Sequence, residues 1–127
     1  MGREHWIPLT DSMIQLLQLA VQQSDGDFLF NGSRPKRPLS ENTLNLALRS
    51  IGVDKNIHVF HGFRSSFSTL AREALRLDGE LIELQLGHVK GDAVRAAYDR
   101  SQRLEERREM MQAWSDYLDG LKGARYQ

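Results

Sequence analysis

The 127-residue sequence contains no cysteine, which excludes a disulfide framework and any metal site built on thiolates. It also has no apolar run whose length approaches the roughly 18 residues that a membrane span needs. Its first residues, MGREHWIPLT, do not have the pattern of a signal peptide. A chain of this length can bury a core without metal or disulfide staples. We therefore expect one soluble, intracellular domain with no membrane partner.

The sequence has no excess of either charge, because 17 Lys and Arg residues balance 17 Asp and Glu residues. Nucleic-acid-binding domains usually carry a basic surplus, so this balance argues mildly against that class. The charges are unevenly spread, however. The segment NGSRPKRPLS holds Arg34, Lys36 and Arg37 with no acidic residue between them. Such a cluster can give a balanced chain one basic face.

Apolar periodicity predicts a mainly helical protein with a small β element, an α+β fold. Short strands are predicted at 5–9, where Pro8 favours an edge position, and at 28–30. Ser40 is the expected N-cap of the second helix, and Gly52 and Gly87 are expected to end helices. The predicted helices cover about 11–23, 41–52, 61–75, 80–86, 91–100 and 102–121.

The last predicted helix carries large apolar residues at heptad spacing. Leu104, Met111 and Leu118 recur every seven residues, as do Trp114 and Leu121, which makes a seam of barely three heptads. Two interpretations are open. The favoured one is a helix packed on its own domain, and the other is a detachable helix that docks on a neighbouring subunit to form a homo-oligomer.

Residues suited to phosphate chemistry occur in order near the ends of predicted helices. His61 and Arg64 stand three apart where a helix begins, which places both side chains on one face. His88 follows at a helix end, and Tyr98 comes ten residues later with Arg100 close behind it. These residues predict that the protein binds an external anion.

Each of these side chains can contribute to phosphoryl transfer. An arginine presents a fork of donors that matches two phosphate oxygens, and a helix N-terminus adds positive potential. A histidine can donate to phosphate or accept a proton. A tyrosine close to a bound phosphate and a base can lose its proton and attack phosphorus. The set fits a phosphotyrosine intermediate.

Other interpretations of the same residues are open. A histidine at a helix end is often a cap or a surface group, Arg64 could pair with Glu73, and Tyr98 could belong to an amphipathic core. A metal site formed by His58, His61 and His88 is weaker, because no nearby carboxylate or cysteine completes four ligands. The acidic residues resemble solvated helix faces and give no support to a carboxylate pair.

The motifs HGFRSSFSTL, LGHV and AAYDR, at these intervals, closely resemble the catalytic domain of tyrosine recombinases, in particular prophage and genomic-island integrases. The similarity also covers HWIPLT, RPLSENTLNLALRSIG and the region after the tyrosine, which is nearly the whole chain. It implies the DNA breaking-rejoining fold and identifies residues 1–127 as its C-terminal part, in a single domain. DNA attachment sites are the implied partner, in a bacterial or phage-encoded cytoplasmic protein.

The resemblance also implies a role for each residue of the set. Tyr98 corresponds to the nucleophile that forms a 3′-phosphotyrosyl link and releases a 5′-hydroxyl. Arg64 corresponds to an arginine that holds the non-bridging oxygens. His61 is implied to assist proton transfer, and His88 to hydrogen-bond the phosphate. No metal, nucleotide or other cofactor is implied, because the phosphotyrosine conserves the bond energy.

Two residues of the family pattern have no counterpart here. The family uses a further arginine on an early helix and a lysine in a hairpin, and both positions would lie before Met1. The chain alone is therefore expected to bind DNA weakly and not to recombine it. The alternative from another class is a non-catalytic helical module that binds DNA or a partner protein through the loop at 34–37 and the last helix.

Overall fold

The computed structural model describes residues 5–24, 26–32, 36–88 and 103–124, and five helices lie within these ranges. The mainly helical prediction is confirmed, whereas the predicted helix at 91–100 lies outside the described residues. No helix in the described ranges is long and apolar enough to cross a membrane. The helices are α1 (Asp11–Gln23), α2 (Thr43–Ser50), α3 (Gly62–Glu73), α4 (Gly79–Gln85) and α5 (Leu104–Ala124).

The predicted strands at 5–9 and 28–30 do not appear among the described residues. A strand forms only when a partner satisfies its backbone groups, and Pro8 has no N–H to offer one. The carbonyl of Trp6 instead accepts a hydrogen bond from the side chain of Arg107. The pairing found in the described ranges is a single antiparallel bridge between Asn31 and Pro38.

Helix α2 begins later than the sequence predicts. Its N-cap residue is Asn42, not Ser40, although the Asn42 side chain makes no capping hydrogen bond. The Ser40 hydroxyl lies 2.7 Å from the Thr43 hydroxyl, and the Ser40 carbonyl accepts from the Thr43 N–H at 3.0 Å. Because its hydroxyl has a side-chain partner, Ser40 forms a turn before the helix and does not cap it.

Two glycines end helices as predicted, because each adopts a positive φ that other residues rarely accept. Gly52 has φ +86°, and the N–H of Val53 reaches back to the carbonyl of Leu48 at 3.0 Å. Gly87 has φ +72° and ends the turn that follows α4. His88 therefore follows directly after the turn that Gly87 forms at the end of α4.

The chain divides into two compact units. The central unit comprises residues 13–66, and the terminal unit comprises residues 1–12 and 67–127. The buried apolar side chains in the described ranges all belong to the terminal unit, where α4 packs against α5. These core residues are Phe67, Ala71, Leu81, Ile82, Met110 and Met111.

Candidate active site

His61 and Arg64 lie on a tight turn that leads into α3. The N–H of Arg64 donates to the carbonyl of His61 at 3.1 Å, and the N–H of Gly62 donates to the carbonyl of Val59 at 2.9 Å. Both side chains are exposed. The free N–H groups of a helix N-terminus favour anions, so this end of α3 is suited to bind a phosphate with these two side chains.

Helix α2 holds the turn before α3 through two polar side chains. Asn45 accepts a hydrogen bond from the N–H of Phe60 at 2.8 Å, and Arg49 donates to the carbonyl of His58 at 2.7 Å. Arg49 also donates to the carbonyl of Val53. Sequence reasoning missed both side chains. No local pattern marks them, because both bind backbone groups that lie beyond the end of α2.

His58 packs within the central unit as an aromatic group. Its ring lies 4.4 Å from that of Phe63 at an interplanar angle of 62°, and its Nε2 atom is buried. A Cβ added at Gly62 would approach the His58 ring to 3.0 Å, so the glycine makes room for it. This placement weakens the metal interpretation. In the described ranges, no three His, Asp or Glu side chains are grouped to hold an ion.

His88 lies in the terminal unit and contacts an acidic residue of α4. Its Nδ1 atom is 3.0 Å from Oε2 of Glu83. The other carboxylate oxygen of Glu83 accepts from Nη2 of Arg72 at 2.5 Å, so one carboxylate joins a histidine and an arginine. All three side chains are about half exposed. Glu83 therefore holds the histidine at Nδ1 on an accessible surface.

The sequence-predicted set is only partly described. His61 and Arg64 belong to the central unit, and His88 belongs to the terminal unit. Tyr98 and Arg100 lie outside the described residues. The convergence of the four proposed catalytic residues stays a prediction.

Arg103 is the first residue that the structure describes after the tyrosine segment, and it forms an ion-pair cluster with three acidic residues. Arg103 lies 2.8 Å from Asp78, 2.9 Å from Glu80 and 2.9 Å from Glu106. The Arg103 guanidinium lowers the pKa of both Asp78 and Glu106, and these carboxylates in turn raise the pKa of Arg103. We call these four residues the Arg103 cluster. It ties the start of α5 to the start of α4.

A second arginine joins α5 to α4 from within the core. Arg107 is 4% exposed, and it donates to Oε1 of Gln85 at 3.0 Å and to the carbonyl of Trp6 at 2.6 Å. The backbone carbonyl of Gln85 lies 3.0 Å from Nε2 of His5. Sequence reasoning missed Arg107, because the apolar heptad pattern of this helix does not show which of its cations is buried.

The predicted seam of α5 packs on the same chain. Met110 and Met111 are buried, and Trp114 makes an edge contact with Phe67, their ring centroids 5.2 Å apart. The favoured interpretation of this helix is therefore confirmed. Leu118 and Leu121 remain 40% and 46% exposed, and a homo-oligomer formed through this helix stays a prediction.

The basic loop is described in part. Lys36 and Arg37 are exposed, whereas Arg34 lies outside the described residues. The N–H of Gly32 donates to the carbonyl of Arg37 at 2.8 Å, next to the bridge between Asn31 and Pro38. This closed turn presents two cations to solvent without an acidic residue beside them in the sequence.

Comparison with known proteins identifies the family. The model of the phage integrase family matches residues 1–105. The integrase of Enterobacteria phage P4 is 46% identical over 127 residues, which cover 94% of this chain and 28% of that protein. The integrase of Shigella phage Sf6 and the prophage integrase IntS of Escherichia coli K12 are each 38% identical over 122 residues.

Those two alignments cover 93% of this chain and 31% of each relative, so the chain spans about a third of the length of the curated relatives it matches. A comparison with solved structures found no match. The family match extends over the His61, Arg64, His88 and Tyr98 motifs. The chain belongs to the phage integrase family.

Proposed function

We propose that this chain carries out the strand cleavage and rejoining steps of site-specific DNA recombination, with Tyr98 as the nucleophile. The Tyr98 oxygen attacks the scissile phosphorus and forms a 3′-phosphotyrosyl bond, and the bond to the 5′-oxygen breaks. That oxygen leaves as a 5′-hydroxyl once it gains a proton. The reverse attack, by a 5′-hydroxyl of a partner strand, releases Tyr98 and seals the new junction.

The observation that carries the proposal is the exposed pair His61 and Arg64 at the N-terminal end of α3. Arg64 can donate to two non-bridging oxygens, and the helix end adds positive potential at the same place. His61 is one turn away and can take the proton from the nucleophile. His88 is proposed to donate to the phosphate from the terminal unit.

The 127 residues alone are proposed to cleave slowly. The family pattern uses two further cations, an arginine and a lysine, that the resemblance does not find here. Loss of one preorganised donor typically costs a hundred- to a thousandfold in rate. If the two effects add, the rate falls by roughly four to six orders of magnitude. The lysine matters most for the leaving 5′-oxygen, which needs its proton.

DNA is the proposed partner, bound at attachment sites by a cytoplasmic protein of bacterial or phage origin. Lys36 and Arg37 on the basic loop, with Arg34 beside them, are proposed to contact phosphates without reading sequence. Residues 5–9 are proposed to form an edge strand of a small sheet when a partner strand is present. This strand would complete the α+β fold that the resemblance implies.

A nicked suicide duplex tests the chemistry, because loss of the short 5′-hydroxyl product traps the covalent adduct. The purified chain is incubated with a duplex that carries the attachment site of phage P4, and the modified residue is located by mass spectrometry. We expect slow adduct formation at Tyr98 that is absent from Tyr98→Phe. The matched control Tyr117→Phe, which changes a tyrosine of α5, should react like the unchanged chain.

Two results would count against this function. An adduct that persists in Tyr98→Phe would place the nucleophile elsewhere. Binding of the duplex with no adduct at any residue, after long incubation, would favour the non-catalytic helical module.

A further inference from the structure

The carboxylate of Glu83 is shared between a cation and a ring nitrogen. Its Oε1 atom accepts from Arg72 at 2.5 Å, and its Oε2 atom lies 3.0 Å from Nδ1 of His88. The arginine and the histidine approach different oxygens of one carboxyl group. Arg72 belongs to α3 and therefore fixes the carboxylate of an α4 residue from the neighbouring helix.

His88 is attached to Glu83 twice. The backbone N–H of His88 donates to the backbone carbonyl of Glu83 at 2.9 Å, in addition to the contact between the side chains. The chain reversal at Gly87, with φ +72°, makes both contacts compatible. Glu83 therefore contacts both the backbone and the ring of His88.

The contact also decides which nitrogen of His88 carries the proton. An ionised carboxylate can only accept hydrogen bonds, so Nδ1 must be the donor. In the neutral ring the proton is then on Nδ1, and Nε2 carries a lone pair. Nε2 can donate to a phosphate oxygen only when the ring is doubly protonated, the form whose positive charge lies beside Glu83.

We propose that Glu83 is a positioning residue for His88, which it holds through Nδ1 so that Nε2 is the atom presented to the scissile phosphate. The inference rests on the proposed function, because that function supplies the phosphate. Arg72 binds the second oxygen of the carboxylate, and the contact of the first oxygen with Nδ1 does not depend on it. A purely structural role for Glu83 would instead consist of its ion pair with Arg72, which ties α3 to α4.

Two variants separate these roles. Glu83→Ala removes both contacts, whereas Arg72→Ala removes the ion pair and leaves Glu83 available to His88. Nitrogen-15 NMR of the free chain reports the protonation of each ring nitrogen. We expect the Nδ1–H tautomer at His88 in the unchanged chain and in Arg72→Ala, and its loss in Glu83→Ala. The Nε2–H tautomer in the unchanged chain, or no change in Glu83→Ala, would overturn the inference.

The rate of adduct formation at Tyr98 on the nicked duplex is the second measurement. Loss of an outer partner that orients a ligating histidine commonly costs 10- to 100-fold. For this half-exposed contact we expect the low end, about tenfold, in Glu83→Ala and less than about twofold in Arg72→Ala. Equal losses in the two variants would show a structural role and overturn the proposal.

The two measurements distinguish a failure of the Glu83–His88 contact from a failure of the proposed function. The tautomer is read without DNA, so it tests the hold of Glu83 on His88 whatever the chain does to a duplex. A chain that shows the expected tautomers and forms no adduct would contradict the proposed function and leave the contact established. Glu105→Ala removes an exposed acidic residue of α5 and should change neither measurement.

Discussion

Arg107 shows how a single side chain can join distant parts of the terminal unit. It is buried, and its guanidinium donates to two neutral oxygens, one on Gln85 and one on the backbone of Trp6. Burial lowers the pKa of this arginine, because desolvation disfavours its charge. The hydrogen bonds offset part of that cost, so the residue is tolerated inside only while both oxygens remain in place.

Replacement of Arg107 by alanine should lower the free energy of unfolding by roughly 2–4 kcal/mol, because it leaves two acceptors unpaired and a cavity beside them. Arg108→Ala is the matched control. That side chain is 53% exposed and lies 3.5 Å from Glu105, so its loss should cost less than about 0.5 kcal/mol. Urea denaturation of both variants measures the difference, and equal effects would contradict the role given to Arg107.

The sequence revealed some of these residues and concealed others for physical reasons. His61 and Arg64 could be found, because a pair three apart at a helix start is a local pattern. Asn45 and Arg49 could not, because they bind backbone groups up to 15 residues away. Hydrophobic periodicity carries no information about such contacts. Glu83 was not found for the same reason, because its partner His88 lies beyond the turn at Gly87.

The helices were largely predictable where apolar spacing and glycine both marked them. Helix α1 occupies residues Asp11–Gln23, the predicted range, and Gly52 and Gly87 end helices as expected. The start of α2 was wrong, because the hydroxyl of Ser40 bonds the Thr43 side chain and not an orphan N–H. The strand at 5–9 was not found, since strand formation depends on a partner that local sequence does not reveal.

The Arg103 cluster predicts how acid should affect the packing of α5 on α4. Asp78 and Glu106 have pKa values below their ordinary ones, mainly because of Arg103. Their contribution to stability is therefore complete above the unfolded-state pKa, roughly 4, and is lost as pH falls through the lower folded-state values. We expect the free energy of unfolding to decrease below about pH 4 for this reason.

Arg103→Ala should make stability less dependent on pH in that window, because the two carboxylates then lose the cause of their depressed pKa values. Lys122→Ala, which breaks an exposed pair with Asp119 at 2.9 Å near the end of α5, is the control and should keep the original dependence. Thermal unfolding followed from pH 2 to 7 measures both. An Arg103→Ala curve parallel to that of the unchanged chain would rule out this explanation.

Helix α5 should not mediate association, because its largest apolar side chains already pack in the same chain. Leu118 and Leu121 are exposed members of the seam, so Leu118→Glu is a change that would disrupt a helix-mediated dimer. We expect sedimentation equilibrium to give the same dependence of mass on concentration for this variant and the unchanged chain. A lower mass for Leu118→Glu would show that α5 docks on a second copy.

At the scale of the whole molecule, the two units differ in how they bury apolar groups. The terminal unit contains the buried core, whereas no described residue of the central unit is buried. Composition and periodicity predicted a helical protein but could not predict this contrast, because burial depends on which faces meet. The family was predictable from the motifs, because their combination at these intervals is specific, whereas the chemistry assigned to them stays a prediction.

The basic loop should determine part of the salt dependence of DNA binding. Each phosphate contact that is lost reduces the slope of log K against log salt by roughly one unit, because fewer counterions are released. The triple variant Arg34→Ala, Lys36→Ala, Arg37→Ala should therefore have a slope smaller by roughly two to three. Lys55→Ala and Lys122→Ala serve as controls for lost charge. An unchanged slope would show that the loop is a solvated surface.

The central claim is that these 127 residues supply the nucleophile and its phosphate-binding partners to a phage integrase. The most direct test replaces the matching segment of the phage P4 integrase, 46% identical, with this chain and measures covalent cleavage of the P4 attachment site. We predict a covalent adduct at Tyr98 that disappears in Tyr98→Phe and falls by about 100-fold or more in Arg64→Ala. A folded chimera that binds the site and forms no Tyr98 adduct would contradict the claim.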